Sequence, residues 1–435
     1  MADARRAAVA ALMKQEQNGY SNLVLKSALA HFPGDAREKA FVSAVFYGVT
    51  ERMLTIDYCL GLFLKKPLNK LDPAVRAILR AGMYQVRWMD SVPAHAAVSE
   101  SVRLCRSMGK SSAAGLVNAV LRRAGSVDAE HAVFDTPQQR LSVLYSVSPS
   151  VLRCLEKSLG RDTERFLQAQ GVPPRLCVRV NTLKTTAREL MEAFEREGVP
   201  VERGFDENCL YLGMHGDVAS HPLFREGMFH VQSEASQFAC ALLGAKPGQT
   251  VLDACAAPGG KSATLAQYME NRGTLISRDA AANRVPLIDE TFRRLGITCG
   301  RTLCADASEP SDPPVQADAV LCDVPCSGLG VMAKKPDIRY KDVSDLAPLC
   351  ELQKKILTAC AKCVKPGGRL VYSTCTVNRD ENEAVVESFL KENPDFAYGS
   401  ISAAPDGAHA AGGCVNFNTF DIKTDGFFTA ILERL

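Results

Sequence analysis

Extended apolar runs alternate with helical patterns through residues 248–435, and this alternation constrains the fold more than any other feature of the sequence. The extended runs lie at 250–255, 274–276, 302–304, 319–322, 369–372 and 427–432. Helical periodicity covers 261–269, 283–295, 349–363 and 380–390. Strands that alternate with helices form a mainly parallel sheet with helices on both faces. The sequence therefore predicts a doubly wound α/β domain over residues 221–435, with ligands beyond the carboxyl ends of its strands.

Residues 1–130 show helical periodicity and no catalytic constellation, which predicts an all-α domain. Asp72 followed by Pro73 is a typical helix start, with the acid at the N-cap and proline at the first helical position. This region has 18 Lys+Arg against 11 Asp+Glu, so it carries +7 and the remainder carries −5 of the total of +2. A basic helical domain suits a polyanion such as RNA. Charges that only solvate helix faces would produce the same count.

The secondary-structure pattern in the middle of the chain differs from the patterns at both ends. Periodicity fades at 128–139, which indicates a linker. Within 145–220, the stretches 176–180 and 209–212 are strand-like, and 187–197 is helical. We expect a small α+β segment here.

Cysteine usage and the lack of long apolar stretches indicate the compartment. The 16 cysteines are scattered, and the start of the chain has no apolar signal core. No run approaches the roughly 18 apolar residues of a membrane span. Cys360 and Cys363 lack the second pair that a zinc ribbon needs, so we expect them in the core. A cytoplasmic monomer with free thiols, no metal and no membrane contact is expected.

The loop after the first strand of this α/β domain reads Asp253-Ala-Cys-Ala-Ala-Pro-Gly-Gly-Lys261-Ser262. Glycines at a strand-to-helix turn let a ligand approach the backbone, and the helix N-terminus adds positive potential. A P-loop requires glycine where Cys255 stands, and the dinucleotide fingerprint is absent. The loop therefore favours a cofactor with an amino-acid tail, because backbone N–H groups of the loop can bind the carboxylate of that tail.

Acidic residues follow the next two strands of the same domain. Asp279 ends the second strand, where an acid in a Rossmann-like fold hydrogen-bonds ribose hydroxyls. Asp306 follows the third strand, where its carboxylate can accept from an adenine amino group. Together with the glycine loop, these acids predict the adenosyl cofactor S-adenosylmethionine.

Two thiols follow the fourth and fifth strands, in Asp323-Val-Pro-Cys326 and Ser373-Thr-Cys375. If these strands are neighbours, both thiols lie at the same sheet edge as the cofactor. Carbon 5 of cytosine becomes nucleophilic when a thiolate adds at carbon 6, and Asp323 can hydrogen-bond ring nitrogen 3. Methylation of an amino group needs no thiol, so the pair predicts cytosine-5 methylation. Spacing alone leaves open which thiol attacks.

These motifs resemble, in order, the signatures of the RNA cytosine-5 methyltransferases. Further matches are Val231-Gln-Ser-Glu-Ala-Ser-Gln237, Lys335-Pro-Asp337 and Asp425-Gly-Phe-Phe428. The start, with Val92-Pro-Ala-His-Ala-Ala-Val-Ser-Glu-Ser101, is similar to the NusB-like domain of bacterial members. The resemblance covers nearly the whole chain and implies a NusB-like RNA-binding domain, a small α+β segment and a Rossmann-like methyltransferase domain.

The resemblance also implies residue roles that spacing does not assign. Cys375 is the implied nucleophile, Cys326 assists product release, and Asp323 acts beside the base. Arg179, Asn181 and Pro325 are implied near the substrate. The implied cofactor contacts are Cys255, Ala256, Ala257, Pro258, Gly259, Gly260, Lys261, Asp279, Asp306 and Asp323.

The NusB-like start implies 16S ribosomal RNA as the substrate. The target cytosine must leave its stack to reach the thiols, so a single-stranded or loop cytosine is expected. One alternative is a transfer RNA cytosine-5 methyltransferase. Another is a non-catalytic NusB-like RNA-binding or antitermination protein, against which the intact thiols and glycine loop speak.

Overall fold

The protein is described here from a computed structural model, which covers residues 2–17, 21–127, 129–214, 216–310, 315–422 and 424–435. The chain divides into two compact units. One comprises Met1–Glu156 and Met332–Ser344, and the other comprises Lys157–Val331 and Asp345–Leu435. Among the described residues, no helix is both long and apolar enough to cross a membrane.

The first unit is built from helices around an apolar core. Asp72 accepts a hydrogen bond from the backbone N–H of Ala74, and Pro73 follows in the first turn, which confirms the helix start expected there. Of the expected linker, residue 128 lies outside the described residues, and a helix already begins at Pro137. The helices are α1 (Ala2–Gln15), α2 (Ser21–His31), α3 (Ala36–Glu51), α4 (Met53–Gly61), α5 (Pro73–Trp88), α6 (Ala94–Ser107), α7 (Ala114–Ala124), α8 (Pro137–Leu144) and α9 (Pro149–Leu159).

The segment Met332–Ser344 belongs to this helical unit, although it lies within the α/β part of the sequence. The hydroxyl of Tyr340 donates to the carbonyl oxygen of Thr50 at 2.6 Å and accepts from the N–H of Met53 at 3.1 Å. Arg339 donates to the carbonyl oxygen of Tyr145. No periodicity in the sequence predicts this attachment, because these bonds join positions far apart in the chain.

The second unit starts within the last turn of α9, and its first complete elements are helix α10 (Thr163–Ala169) and a small antiparallel sheet. The sheet has the order β2-β3-β1-β4, and helix α11 packs with it around a shared apolar core. The strands expected at 176–180 and 209–212 are confirmed. Strand β4 lies beyond the expected segment 145–220 and pairs with β1. The elements are β1 (Leu176–Val180), α11 (Ala187–Arg196), β2 (Val201–Arg203), β3 (Cys209–Leu212), α12 (Pro222–Arg225) and β4 (Phe229–Val231).

The main sheet of the second unit confirms the expected α/β alternation. Its parallel part has the order β9-β8-β5-β6-β7. The elements are α13 (Glu234–Leu243), β5 (Thr250–Asp253), α14 (Gly260–Tyr268), β6 (Thr274–Asp279), α15 (Val285–Leu295), β7 (Gly300–Cys304), β8 (Ala317–Asp323), α16 (Ala347–Ala361), β9 (Val364–Thr374), α17 (Glu383–Glu392), β10 (Phe396–Tyr398), β11 (His409–Ala411), β12 (Cys414–Phe417) and β13 (Phe427–Arg434).

One side of this sheet is antiparallel, which the sequence pattern did not predict in full. Strand β13 pairs antiparallel with β9, and β12 and β10 in turn pair with β13. β10, β11 and β12 are three or four residues long, too short for a periodic signal to identify. Cys360 and Cys363 are buried in the core under the sheet, as expected.

Candidate active site

The two thiols of interest lie at the carboxyl ends of neighbouring parallel strands. β8 and β9 pair so that Asp323 stands opposite Ser373. Cys326 follows β8, Cys375 follows β9, and their Sγ atoms are 3.1 Å apart. A hydrogen bond with the Cys375 thiol, burial and nearby negative charge raise the pKa of Cys326 well above its ordinary value. The pair is therefore arranged so that one thiol can hold a proton beside the other.

Asp323 joins the thiol loops to the glycine loop. One of its carboxylate oxygens accepts from the hydroxyl of Ser373 at 2.8 Å, and the other accepts from Nζ of Lys261 at 2.7 Å. Burial alone would lower the pKa of Lys261, but the adjacent Asp323 carboxylate outweighs it and raises that pKa. A positive charge and a carboxylate thus meet at the sheet edge where the thiols lie.

The glycine loop begins helix α14 without a side-chain cap, so backbone N–H groups stay available at its N-terminus. Gly259 has φ +102°, a left-handed conformation that favours glycine. A Cβ atom placed on Gly260 would meet no atom within 4 Å, so open space lies beside this turn. Uncapped N–H donors next to open space fit an anionic group such as an amino-acid carboxylate.

Asp279 holds this loop in place from the end of β6. Its carboxylate accepts from the backbone N–H of Ala257 at 3.2 Å and lies 3.4 Å from the guanidinium of Arg284. Arg284 also donates to the carbonyl oxygen of Ala257. Asp306 is exposed beyond β7, where it accepts from the N–H and hydroxyl of Ser308. Asp279 thus contacts the glycine loop directly, whereas the bonds of Asp306 stay within its own turn.

The other residues of the glycine loop differ in exposure. Ala256 and Ala257 are buried, Pro258 is exposed, and Cys255 is partly buried. The side chain of Cys255 packs against the core, and burial raises its pKa well above the ordinary value. Cys255 therefore offers the loop its backbone rather than a reactive thiol.

Asp253, at the end of β5, is fully buried below this loop. It accepts from the hydroxyl of Ser262 at 2.6 Å, and Ser262 in turn accepts from Ser277. Burial raises the pKa of Asp253 to about 7. These bonds tie strand β5, the start of α14 and strand β6 together beneath the open space.

Arg179 and Asn181 are almost fully buried, and their bonds end on residues outside the expected site. Arg179 forms an ion pair with Asp206 at 2.9 Å. Asn181 donates to the carbonyl oxygens of Gly227 and Leu295. A substrate contact by either residue stays a prediction. Pro325 is exposed next to Cys326, and its carbonyl oxygen accepts from Gln353.

Some residues beside the two thiols were not predicted from the sequence to act on the base. Lys261 was expected only as a cofactor contact, yet it is paired with Asp323. Glu381 and Asn382, which contact the thiol loops, were assigned to a helix expected at 380–390, but α17 begins at Glu383. This correction has a physical reason, because residues 376–382 form a loop bonded to the strand ends. The sequence pattern carries no signal for these bonds.

Fold and site together define a methyltransferase of the Rossmann-like class. Three family models match separate parts of the chain. They are the 16S rRNA methyltransferase RsmB/F over residues 240–433, the NusB family over 2–126, and the RsmF/B-like ferredoxin-like domain over 151–219. The chain belongs to the RsmB/F family of 16S rRNA methyltransferases. The family and the fold class expected from the sequence are thereby confirmed.

Curated relatives match over almost the full length. The probable ribosomal RNA small subunit methyltransferase B of Bacillus subtilis (strain 168) is 37% identical, over 90% of this chain and 89% of its own. The ribosomal RNA small subunit methyltransferase B of Vibrio cholerae is 31% identical, over 99% and 97%.

Solved structures are also similar to this chain. The crystal structure of PH0851 has a TM-score of 0.85 at 27% identity, over 100% of this chain and 99% of that one. A methyltransferase homologue from Pyrococcus horikoshii has a TM-score of 0.61 at 27% identity, over 69% of this chain and 100% of that one.

Proposed function

We propose that this chain transfers a methyl group from S-adenosylmethionine to carbon 5 of a cytosine in 16S ribosomal RNA. The observation that carries the proposal is the 3.1 Å separation of the Cys326 and Cys375 Sγ atoms, next to Asp323 and Lys261. Two adjacent thiols serve no purpose in amino-group methylation. They suit covalent catalysis, in which one thiol forms an adduct and a second group helps to resolve it.

Cys375 is the nucleophile in this proposal. Its thiolate forms a bond between Sγ and carbon 6 of the cytosine, and electron density moves to carbon 5. In this proposal ring nitrogen 3 takes up the proton released by the Cys375 thiol, and the Asp323 carboxylate accepts a hydrogen bond from the resulting N–H group, while Lys261 balances the carboxylate charge. Bound S-adenosylmethionine supplies an electrophilic methyl group. Carbon 5 then gives its proton to water, and ring nitrogen 3 loses the proton it had taken up. The electron pair of the bond between Sγ and carbon 6 returns to sulfur, and the ring regains its aromatic character, with Cys326 assisting this release.

The residues of the glycine loop would hold the cofactor. The uncapped N-terminus of α14 and the open space at Gly260 suit the carboxylate of its amino-acid tail. Asp279 ends β6, the position from which an acid reaches a ribose in Rossmann-like folds. Asp306 follows β7 and is exposed, so it is available to an adenine amino group.

RNA docking is assigned to the helical unit, which has a groove of about 740 Å³ along α5, α6 and α7. Arg103, Arg106 and Arg122 line this groove and are exposed. Its floor includes the buried side chains of Val98 and Leu121. Arginines that flank an apolar floor can bind phosphates while nucleobases pack between them. Such binding should weaken steeply as salt is raised.

The deciding experiment incubates the full chain with methyl-labelled S-adenosylmethionine and either unmodified 16S ribosomal RNA or unmodified transfer RNA. We expect label on the ribosomal RNA, and nucleoside analysis should recover it as 5-methylcytidine. Bisulfite sequencing of ribosomal RNA from a strain lacking the chain then identifies the nucleotide. Label on transfer RNA alone would overturn the choice of substrate. Label recovered as a different nucleoside would overturn the chemistry, and no label on either RNA would favour a binding protein.

A further inference from the structure

Glu381 and Asn382 are adjacent, buried polar residues in the loop between β9 and α17, and the reaction as described makes no use of them. Their exposed fractions are 0% and 1%. Burying a carboxylate costs free energy unless hydrogen bonds compensate. The bonds that these two side chains form all end on residues of the thiol loops or on residues that brace them.

Glu381 holds the loop that carries Cys326. One carboxylate oxygen accepts from the backbone N–H of Ser327 at 2.8 Å and from the side-chain amide of Gln353 at 3.0 Å. That amide also donates to the carbonyl oxygen of Pro325 at 3.0 Å. The backbone on both sides of Cys326 is therefore tied, directly or through Gln353, to Glu381.

Asn382 holds the turn that carries Cys375. Its amide donates to the carbonyl oxygen of Thr376 at 3.0 Å, and its oxygen accepts from the hydroxyl of Thr374 at 2.6 Å. The residues on both sides of Cys375 are thus bonded to one side chain. Asn382 stands at the N-cap of α17, yet its side chain makes no capping bond to that helix. An asparagine at an N-cap ordinarily bonds the helix, so here the side chain serves the turn instead.

Further bonds connect the two loops. The hydroxyls of Ser327 and Thr376 lie 2.8 Å apart, and the carbonyl oxygen of Cys375 accepts from the N–H of Gly330. Asn378 donates to the second carboxylate oxygen of Glu381 at 3.0 Å. Displacing either loop would therefore change the distance between the two Sγ atoms.

We propose that Glu381 and Asn382 are positioning residues for the two-thiol reaction, Glu381 for Cys326 and Asn382 for Cys375. This inference rests on the proposed function and adds to it that each of the two residues supports a different step of the reaction. Loss of the Glu381 bonds impairs the release step assisted by Cys326. Loss of the Asn382 bonds impairs the adduct that Cys375 forms. A residue that only stabilises the fold would impair both steps together.

The first experiment needs no RNA. Alkylation of each thiol by iodoacetamide is followed by mass spectrometry from pH 6 to 10 in the full chain and in Glu381→Gln. The substitution removes a negative charge near Cys326 and keeps the side-chain shape. We expect Cys326 to react about tenfold faster at pH 8, because a nearby negative charge disfavours the thiolate, while Cys375 changes little. Glu387→Gln, the same charge change on the exposed side of α17, should alter neither thiol.

The second experiment measures the two steps with RNA. In Glu381→Gln, a single round of methyl transfer should stay within about threefold of the unchanged chain, while covalently bound RNA accumulates on denaturing gels and turnover falls about tenfold. In Asn382→Ala, formation of the covalent complex itself should fall about a hundredfold, as misplacement of a reacting group does. Far-UV circular dichroism and the melting temperature check the fold. If Glu381→Gln unfolds, Gln353→Met is used, because it removes the tie between Glu381 and the carbonyl oxygen of Pro325.

The outcomes separate this inference from the proposed function. A shifted alkylation profile for Cys326 together with no methylation by the unchanged chain would overturn the proposed function, although Glu381 would still be shown to influence the Cys326 thiol. Methylation by the unchanged chain with no change of either thiol in Glu381→Gln would overturn the positioning role alone. Equal loss of both steps in both variants would also overturn it.

Discussion

The Sγ atoms of Cys326 and Cys375 lie 3.1 Å apart, although 49 positions separate the two residues in the chain. The parallel pairing of β8 with β9 brings them together, because it places Asp323 opposite Ser373 and starts both loops at the same level. Two thiols this close can act in one reaction on one base. Replacing each cysteine on its own shows which step of the reaction its thiol serves.

Cys375→Ala should abolish methylation, because no adduct at carbon 6 can form without its thiol. Cys326→Ala should instead trap the chain on RNA, since only release is impaired. Denaturing gels would show this as a slowly migrating band that contains both protein and RNA. Cys304→Ala, which alters an exposed thiol at the end of β7, is the control and should leave turnover within about twofold. A trapped complex in Cys375→Ala would reverse the roles given to the two thiols.

Lys261→Met should lower the turnover number about a hundredfold, because it removes the cation paired with Asp323 at the reacting edge. Lys365→Met is a matched control. Lys365 forms an ion pair of the same length with Asp318, at the opposite end of β8 and β9. This control should keep nearly full activity. Weaker cofactor binding in Lys261→Met with an unchanged turnover number would show that Lys261 serves the cofactor and not the base.

Gly260→Ala should weaken binding of S-adenosylmethionine about tenfold or more while leaving the free energy of unfolding nearly unchanged. The added methyl group meets no protein atom within 4 Å, so it can only intrude on a ligand at the start of α14. Isothermal titration calorimetry measures the affinity. Gly115→Ala, another helical glycine with open space, is the control and should bind normally. Unchanged cofactor affinity in Gly260→Ala would place the ligand elsewhere.

The buried carboxyl of Asp253 should make stability depend on pH. Its pKa is raised to about 7 in the folded chain, so the folded state binds the proton more tightly than the unfolded state. The protonated carboxyl therefore adds up to about 4 kcal/mol to the free energy of unfolding. This stabilisation is fully present below about pH 4, the ordinary pKa of Asp, and is lost as the pH rises through about 7. Urea unfolding measures the free energy of unfolding at pH 5 and at pH 8. The decrease in that free energy from pH 5 to pH 8 should be smaller in Asp253→Asn than in the unchanged chain. Equal decreases in both chains would contradict the raised pKa.

Tyr340→Phe should destabilise the helical unit by about 1–3 kcal/mol, because it leaves the N–H of Met53 without its hydroxyl partner and removes the bond to Thr50. Differential scanning calorimetry of the full chain measures the change. Tyr58→Phe, in a ring that packs on Phe134, is the comparison and should change stability less. Equal effects would mean that the segment Met332–Ser344 is not held by the Tyr340 hydroxyl.

Much of the fold could be predicted because local patterns control it. Asp72 and Pro73 begin α5 through contacts within one turn, and β1 and β3 were located from apolar runs. The antiparallel strands β10, β11 and β12 were missed, because strands of three or four residues derive their order from pairing with β13 and not from their own sequence. The start of α17 was misplaced because Glu381 and Asn382 were included in the helical pattern, yet their side chains bond to the loops that follow β8 and β9.

The sequence by itself determined the chemistry that is available. The glycine loop, the acids at strand ends and the two thiols are fixed by residue type and by their order along an alternating pattern. Only the tertiary structure decided which groups meet: Cys326 with Cys375, Lys261 with Asp323, and Glu381 with the backbone beside Cys326. The reason is that strand order and loop closure depend on contacts between positions remote in the chain, and periodicity within a segment carries no information about them.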